Sequence, residues 1–232
     1  MNKILTFCLL LTSFSVFSNS HLDFTLSDFC IEQPNVQYRD AYYFPNETVG
    51  ITAVSICYYK NAYGQMASKS NYKNGRIHGK SNDWFRNGQM QFDRFFKDGK
   101  EDGKLTRWRE NGQKYLEVNY KVGDLHGKHT KWFRNGNKQS ESNYINGTLD
   151  GKWTMWHESG FKSLETNWKD GKRNGKDILW DEYGQKRVQK NYKMGKLEGK
   201  LTWWDDEGQI YSEKNYKLSL IHISEPTRLL SI

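Results

Sequence analysis

The chain has 232 residues, a formal net charge of +8 and 15% aromatic side chains, with 20 glycines and 3 prolines. This composition excludes an intrinsically disordered chain, because disordered segments are depleted in aromatic residues. Abundant Trp and Tyr beside few aliphatic residues also exclude a thick globular core and predict a thin structure, in which broad rings cover a sheet.

The first 20 residues have the pattern of a cleaved secretory signal peptide. Lys3 supplies a positive start, residues 4–17 are apolar apart from Thr and Ser, and Ser18 and Ser20 are small residues placed for cleavage before His21. A membrane anchor is the alternative, but the apolar stretch is shorter than the roughly 20 residues that span a bilayer. We therefore expect an exported protein, periplasmic or secreted.

Cleavage would leave two cysteines, Cys30 and Cys57. Cysteines in exported proteins can pair, but spacing alone does not show that two of them are close. A disulfide between Cys30 and Cys57 and two free thiols therefore both stay open. A metal site needs more ligands than this pair supplies, and we expect no metal and no cofactor.

Two irregular segments precede the regular part of the chain. Residues 21–47 are expected to cap the first edge of a sheet, because open edges invite aggregation. Residues 48–71 are interpreted as a degenerate opening repeat. Within them, residues 50–59 have the β-branched and aromatic content of a strand, and Tyr63 and Gly64 echo the second half of the later copies.

Residues 72–217 contain six copies of a 24-residue unit without insertions. A fixed period in this range indicates a repeat architecture in which each unit packs on its neighbours. The structural positions that recur in all six copies are Trp84, Trp108, Trp132, Trp156, Trp180 and Trp204, and Gly79, Gly103, Gly127, Gly151, Gly175 and Gly199.

One unit predicts a β-hairpin. Residues 104–109 and 113–120 have strand character, and Asn111-Gly112 between them favours a tight turn. The chain then returns through Gly123 and Gly127, which tolerate unusual backbone angles. The predicted fold class is all-β, with tandem hairpins in one elongated, twisted antiparallel sheet. Twelve strands about 4.8 Å apart would make it roughly 58 Å long.

Side chains alternate between the two faces of a strand. We expect Trp108, Leu116 and Val118 to pack in rows on one face, with Arg107 and Glu117 and their equivalents on a solvated opposite face. A Trp row can also bind sugar rings or nucleic-acid bases. An identical residue in every copy favours packing between neighbours.

The repeats carry 30 Lys and Arg against 21 Asp and Glu. Clustered positive charge would indicate nucleic acid or anionic lipid. Here the two signs are interspersed along the sequence, which favours a solvated surface, and we expect no nucleic-acid partner.

Residues 218–232 leave the repeat register and contain no Trp, Tyr or Gly. Residues 218–228 closely resemble the translation of a sequencing-library adapter. We expect this segment to be a non-native tail.

The segments Tyr-Lys-Val-Gly-Asp-Leu-His-Gly-Lys at 120–128 and Trp-Phe-Arg-Asn-Gly at 132–136 resemble the MORN-repeat variant family. The resemblance covers residues 58–217. It implies an extended sheet of hairpins and a binding or scaffolding role, with contacts to proteins and, in some members, to anionic lipid. Bacterial chains of this kind are described as antitoxin-like.

The sequence contains no recognisable catalytic constellation. His78 and His126 share one repeat position, filled in other copies by Asp, Asn or Glu, and this interchange predicts a role in a turn. We expect a non-enzymatic, exported scaffold that binds a protein partner. A cell-wall or glycan-binding module and a peripheral binder of anionic lipid are the alternatives.

Overall fold

The structure, a computed structural model, describes residues 36–45, 51–59, 65–217 and 220–222. This part of the chain forms a single antiparallel sheet of nineteen strands and contains no helix, which confirms the predicted all-β fold of tandem hairpins. The strands are β1 (Val36–Pro45), β2 (Ile51–Tyr59), β3 (Met66–Lys73), β4 (Arg76–Trp84), β5 (Met90–Lys97), β6 (Lys100–Glu101), β7 (Gly103–Trp108), β8 (Lys114–Lys121), β9 (Asp124–Trp132), β10 (Lys138–Ile145), β11 (Thr148–Leu149), β12 (Gly151–Trp156), β13 (Lys162–Lys169), β14 (Lys172–Trp180), β15 (Lys186–Lys193), β16 (Lys196–Leu197), β17 (Gly199–Trp204), β18 (Ile210–Lys217) and β19 (Leu220–His222).

The strands follow one another across the sheet in chain order. The short strands β6, β11 and β16 are the first parts of strands that continue as β7, β12 and β17 after one intervening residue, whose N–H still bonds to the neighbouring strand. Within the described residues, β1 pairs only with β2 and β19 only with β18, so the sheet is open.

Two kinds of turn alternate along the chain. On the side that we call the tight-turn side, Lys121 pairs with Asp124 across the two residues Val122 and Gly123. Both of these have positive φ, 53° and 93°, as in a type I′ turn, whose twist matches that of the flanking strands.

The opposite side, called the wide-turn side, carries longer connections. Arg109 N donates to the Gln113 carbonyl oxygen at 2.8 Å, and Gly112 N donates to the Arg109 carbonyl oxygen at 2.9 Å. The tight turn predicted at Asn111-Gly112 is therefore a wider five-residue connection, and the two-residue turns lie at the other end of each strand.

The predicted assignment of the faces was wrong. Arg107 lies opposite Leu116 and Thr106 lies opposite Glu117, so Trp108 shares its face with Glu117, whereas Leu116 and Val118 share theirs with Arg107. Alternation fixes the faces within one strand, but the turn and the register shift beside Trp108 fix how two strands are aligned. One residue of difference exchanges the faces.

The two faces of the sheet carry different residues. The lysine face carries the columns that contain Lys104, Thr106, Trp108, Lys114 and Glu117, and these positions are nearly the same in every copy. The variable face carries the columns that contain Leu105, Arg107, Leu116, Val118 and Tyr120, and most of these positions change from copy to copy.

No second layer covers either face within the described residues. Burial is confined to central columns, such as Leu105, Val118 and Leu201 on the variable face and Thr106 and Thr130 on the lysine face. These side chains are short or lie between broader neighbours, which exclude water from them. The thin structure predicted from composition follows from this arrangement.

Several predicted segments fall partly or wholly outside the described residues. The signal peptide, Cys30 and residues 223–232 lie outside them. Of the expected cap, β1 is described and extends the sheet beyond β2. In the expected opening repeat, β2 and β3 pair antiparallel. The strand β19 continues the ladder for three residues beside β18, and the domain boundaries stay predictions.

Candidate interaction surfaces

The lysine face carries a regular ladder of ion pairs, in which three glutamates each contact two lysines. Lys138 Nζ and Lys128 Nζ approach the two carboxylate oxygens of Glu141 at 2.7 and 3.2 Å. The hydrogen bond from Lys138 lowers the pKa of Glu141, and the bond from Lys128 acts in the same direction against the effect of burial. Glu117 and Glu165 are held by equivalent lysine pairs.

The six repeated Trp side chains lie on the lysine face and are half-buried. Equivalent residues of adjacent copies are two strands apart, about 9.6 Å, which is too far for their rings to touch. The packing of Trp on Trp between neighbouring copies, which the sequence favours, is therefore not formed. A lysine of the preceding copy lies over each of four of these rings. The distances from Nζ to the ring centroid are 5.9, 5.6, 5.7 and 5.3 Å for Lys114–Trp132, Lys138–Trp156, Lys162–Trp180 and Lys186–Trp204.

An asparagine ladder, missed in the sequence analysis, runs beside the repeated glycines. Asn119 Nδ2 donates to the Lys128 carbonyl oxygen at 3.0 Å, and Asn167 Nδ2 donates to that of Lys176 at 3.1 Å. Asn71 and Asn191 make equivalent bonds, whereas Asn143 Nδ2 donates to the Asp150 carbonyl oxygen at 3.1 Å. The sequence does contain a sign of this ladder. Asn recurs with the 24-residue period, as the glycines and aromatic residues do, and the series is interrupted only by Phe95.

The repeat position shared by His78 and His126 supports the tight turns, as the sequence predicts. His126 Nδ1 lies 3.2 Å from Asn146 Oδ1 and 3.4 Å from Asn146 N, in the next tight turn. In other copies Asp150 Oδ2 accepts a hydrogen bond from Asp170 N at 3.1 Å. The position therefore carries turn chemistry.

A continuous apolar row crosses the variable face. Met155 lies opposite Leu164, Leu164 opposite Leu179, Leu179 opposite Val188, and Val188 opposite Trp203. All five side chains are partly exposed. We call these five residues the apolar row.

Arginines lie over aromatic rings elsewhere on the variable face. The Arg107 guanidinium is 5.0 Å from the Phe92 ring centroid and 5.3 Å from that of Tyr115. The Arg173 guanidinium is 5.7 Å from the Trp168 ring and 5.3 Å from the Tyr192 ring. Such contacts hold the cations in place on the face without removing their charge.

One buried polar pair interrupts the variable face. Thr166 and Asp177 are cross-strand neighbours with exposed fractions of 0% and 1%. Asp177 Oδ2 lies 3.1 Å from the Arg173 guanidinium, whereas Asp177 Oδ1 and Thr166 Oγ1 have no hydrogen-bond partner. Burial raises the pKa of Asp177, and the nearby charges of Arg173 and Lys190 oppose that rise.

An open groove of about 470 Å³ lies at the end of the apolar row. Val188, Trp203 and Tyr211 contribute its apolar lining, and Arg187 and Asp206 are joined beside it by an ion pair of 2.7 Å. Tyr211 is 65% exposed, so its ring is available to a ligand or a partner.

The repeated glycines and Cys57 occupy structural positions. The six repeated glycines from Gly79 to Gly199 all have positive φ, between 80° and 126°. Cys57 is buried and disulfide-bonded. Cys8 and Cys30 lie outside the described residues, so the pairing of Cys30 with Cys57 stays a prediction.

The described part of the chain has neither a metal-binding cluster nor a membrane-spanning helix. It contains no group of three or more His, Cys, Asp or Glu side chains that could hold a metal ion. Among the same residues no helix is long and apolar enough to cross a membrane.

Comparison with known proteins identifies the repeat. Residues 125–146 and 197–218 match the model of the MORN repeat variant family. The two matched segments are three 24-residue periods apart, so both have the register of the other copies. No curated protein matches the chain. MORN repeats generally mediate contacts with proteins or membrane lipids, and two segments of this chain match the model of the MORN repeat variant.

Proposed function

We propose that this protein is a non-enzymatic, exported scaffold that binds a protein partner through its variable face. The observation that carries the proposal is the separation of residue types between the two faces. The lysine face repeats Lys, Glu and Thr beside its half-buried Trp column, whereas the variable face gathers Leu, Met, Arg, Tyr, Phe and Trp. Interface cores are enriched in aromatic residues, Met and Arg and are depleted in Lys and Glu.

The apolar row gives that face a centre suited to an interface. Five neighbouring apolar side chains that remain partly exposed form a contiguous patch, and such patches mark interaction sites. Lys131 at one end and Lys190 in the adjacent column form no ion pair within the described residues. A partner with an apolar contact surrounded by carboxylates would complement this arrangement.

Other copies of the repeat already contain suitable residues for the test. Leu179→Lys and Val188→Ser introduce the residues that the equivalent positions hold as Lys131 and Ser140, so the fold should tolerate them. The control pair, Lys152→Gln and Glu165→Gln, changes the lysine face. The wild type and the control should both capture proteins from the envelope fraction.

Capture by the row variant should fall at least about tenfold, because residues at the centre of an interface contribute 2 kcal/mol or more. Circular dichroism should show the same sheet in all three proteins. Equal capture by the row variant and the wild type would disprove binding through this face.

A glycan-binding module is the second candidate, and exposed rings on the wide-turn side favour it. Tyr183 is 73% exposed and Tyr211 is 65% exposed. Stacking of sugar on rings should persist in high salt and be lost in a Tyr183→Ala, Tyr211→Ala variant. Such binding with no captured protein would replace the scaffold proposal.

Export belongs to the same proposal and is supported by the pattern of residues 1–20. Expression in a bacterium should yield a protein that starts at His21, and mass spectrometry of the purified chain would show it. Retention of Met1 in the mature protein would refute export. An antitoxin role, which the family resemblance also implies, would require a toxin in the same compartment.

A further inference from the structure

The tight-turn side of the lysine face carries cations that the ion-pair ladder does not neutralise. Lys97 lies directly opposite Lys100, and Lys169 lies directly opposite Lys172. Like charges in directly opposed positions destabilise a sheet, so folding alone does not account for them. Four such pairs form the basic strip: Lys73–Arg76, Lys97–Lys100, Lys169–Lys172 and Lys193–Lys196.

All eight side chains of the basic strip are exposed. Among the described residues, none of the eight forms an ion pair. One column further in, Lys104 and Lys152 lie 2.6 and 3.0 Å from glutamates. The structure therefore separates charges that are interspersed in the sequence into a ladder of ion-paired lysines and a strip of cations that form no ion pair among the described residues.

The basic strip consists of two clusters. The first contains Lys73, Arg76, Lys97 and Lys100, and the second contains Lys169, Lys172, Lys193 and Lys196. Between them the third copy pairs Lys121 with Asp124, and the fourth pairs Ile145 with Thr148. Three copies, or six strands, separate the facing pairs of the two clusters, which is about 29 Å at 4.8 Å per strand.

We infer that the basic strip binds a linear acidic polysaccharide that bridges the two clusters. Each cluster is only two side chains wide, so it fits an extended chain. A polymer held at one cluster meets the second at a high effective concentration, which strengthens the whole contact. Seven of the eight cations are Lys, which acts as a hydrated point charge and lacks the planar fork by which Arg recognises phosphate.

A membrane fits these observations less well. Neighbouring strands in a sheet are rotated by roughly 20° relative to each other, so a flat bilayer would touch only part of a strip that a flexible polymer can follow. The exposed apolar residues Val122, Ile145 and Met194 near the tight turns are the features that would favour a bilayer. The test therefore includes vesicles.

The experiment measures binding of the full chain to labelled heparin fragments, a sulfated linear polysaccharide, by fluorescence anisotropy at several salt concentrations. Fragments longer than about 40 Å should bind at least about tenfold more tightly than fragments shorter than about 20 Å, because only the longer ones bridge the clusters. A variant with the second cluster changed to Gln should lose this dependence on length. Its slope of log K against log salt should fall by about 3, at roughly 0.7 per cation removed.

The matched control removes the same number of charges from the ladder, by Lys104→Gln, Lys128→Gln, Lys152→Gln and Lys162→Gln. It should keep the length dependence. The strip variant should have an unchanged or higher Tm, because repulsion between opposed cations is relieved, and this separates loss of binding from loss of folding.

Three results would overturn the inference. One is an equal loss of affinity in the control and the strip variant. Another is tighter binding to vesicles that contain phosphatidylserine than to long heparin, which would assign the strip to a membrane. The third is tighter binding to a single-stranded oligonucleotide of equal charge. None of these measurements uses the variable face, so they are independent of the proposed protein partner.

Discussion

Lys138 Nζ lies 5.6 Å from the centroid of the Trp156 ring in the next repeat and 2.7 Å from Glu141 Oε2 in its own strand. One ammonium group therefore joins two adjacent copies and neutralises a carboxylate between them. The same relationship between a lysine and the next Trp recurs in three other pairs of copies. Contacts of this kind link each copy to its neighbour, which is what stabilises a repeat protein.

The contact between Lys138 and Trp156 can be measured by a double-mutant cycle. Lys138→Met and Trp156→Leu should show a coupling of about 0.5–1 kcal/mol, the range of exposed cation–π contacts. Lys128→Met is the matched control, because Lys128 also pairs with Glu141, and it should show almost no coupling to Trp156→Leu. Urea unfolding of the single and double variants gives the values, and equal coupling for both lysines would contradict the assignment.

Truncation of the Trp ring should cost less than a core truncation. Trp156 is half-buried, so we expect Trp156→Ala to lower the free energy of unfolding by about 1–3 kcal/mol, below the 3–5 kcal/mol of a fully buried ring. A larger loss, measured by urea unfolding, would mean that the ring is enclosed in solution.

Val122 occupies a strained backbone position. Its φ is 53° in a type I′ turn and its side chain is 55% exposed. The left-handed conformation costs roughly 1–2 kcal/mol for most L-residues and less for Asn. Val122→Asn should therefore raise the free energy of unfolding by about 1 kcal/mol, and the reverse change, Asn74→Val, should lower it by a similar amount. Opposite signs in the two variants are the expected result, and a loss of stability in Val122→Asn would refute it.

Phe95 interrupts the asparagine ladder and is 45% exposed. Phe95→Asn should supply the missing bond to the Lys104 carbonyl oxygen and stabilise the chain by about 0.5–1.5 kcal/mol, the net value of one hydrogen bond. Asn119→Ala, which removes an existing bond of 3.0 Å, should destabilise it by a similar amount. Thermal unfolding of the two variants measures both changes in stability. No gain in stability from Phe95→Asn would contradict a stabilising role of the ladder.

Asp177 should make stability depend on pH in an identifiable direction. Burial raises the pKa of this carboxyl above its ordinary value of 3.8, although Arg173 and Lys190 oppose the rise. The folded state therefore binds its proton more tightly than the unfolded state. The ionised carboxylate costs stability above the folded pKa, and this cost disappears as pH falls below about 3.8.

Asp177→Leu introduces the residue that Leu105 and Leu201 provide at the same repeat position. The variant should be more stable than the wild type at pH 7, and its advantage should shrink as the pH is lowered towards 3. Glu141→Gln is the comparison, because the pKa of Glu141 is lowered. That variant should be less stable than the wild type at pH 7, with the deficit disappearing in acid. An advantage of Asp177→Leu that grows in acid would contradict the assignment.

The sequence by itself determined the repeat, its period and the hairpin fold, because glycines and aromatic residues at fixed intervals leave few other structures open. It also predicted the turn role of the position shared by His78 and His126. It did not predict the asparagine ladder, although the series was visible. An exposed Asn is common in many surroundings, and its value here depends on one carbonyl oxygen in the neighbouring strand.

Only the tertiary structure decided which residues share a face and which charges are neutralised. Alternation places Trp108 and Arg107 on opposite sides of one strand, but the turn and the register shift beside Trp108 aligned Arg107 with Leu116 and Thr106 with Glu117. Because side chains alternate with a period of two, this alignment separated Lys and Glu from the apolar row. Among the described residues it also left the cations of the basic strip without ion pairs, although the two signs of charge are mixed along the sequence.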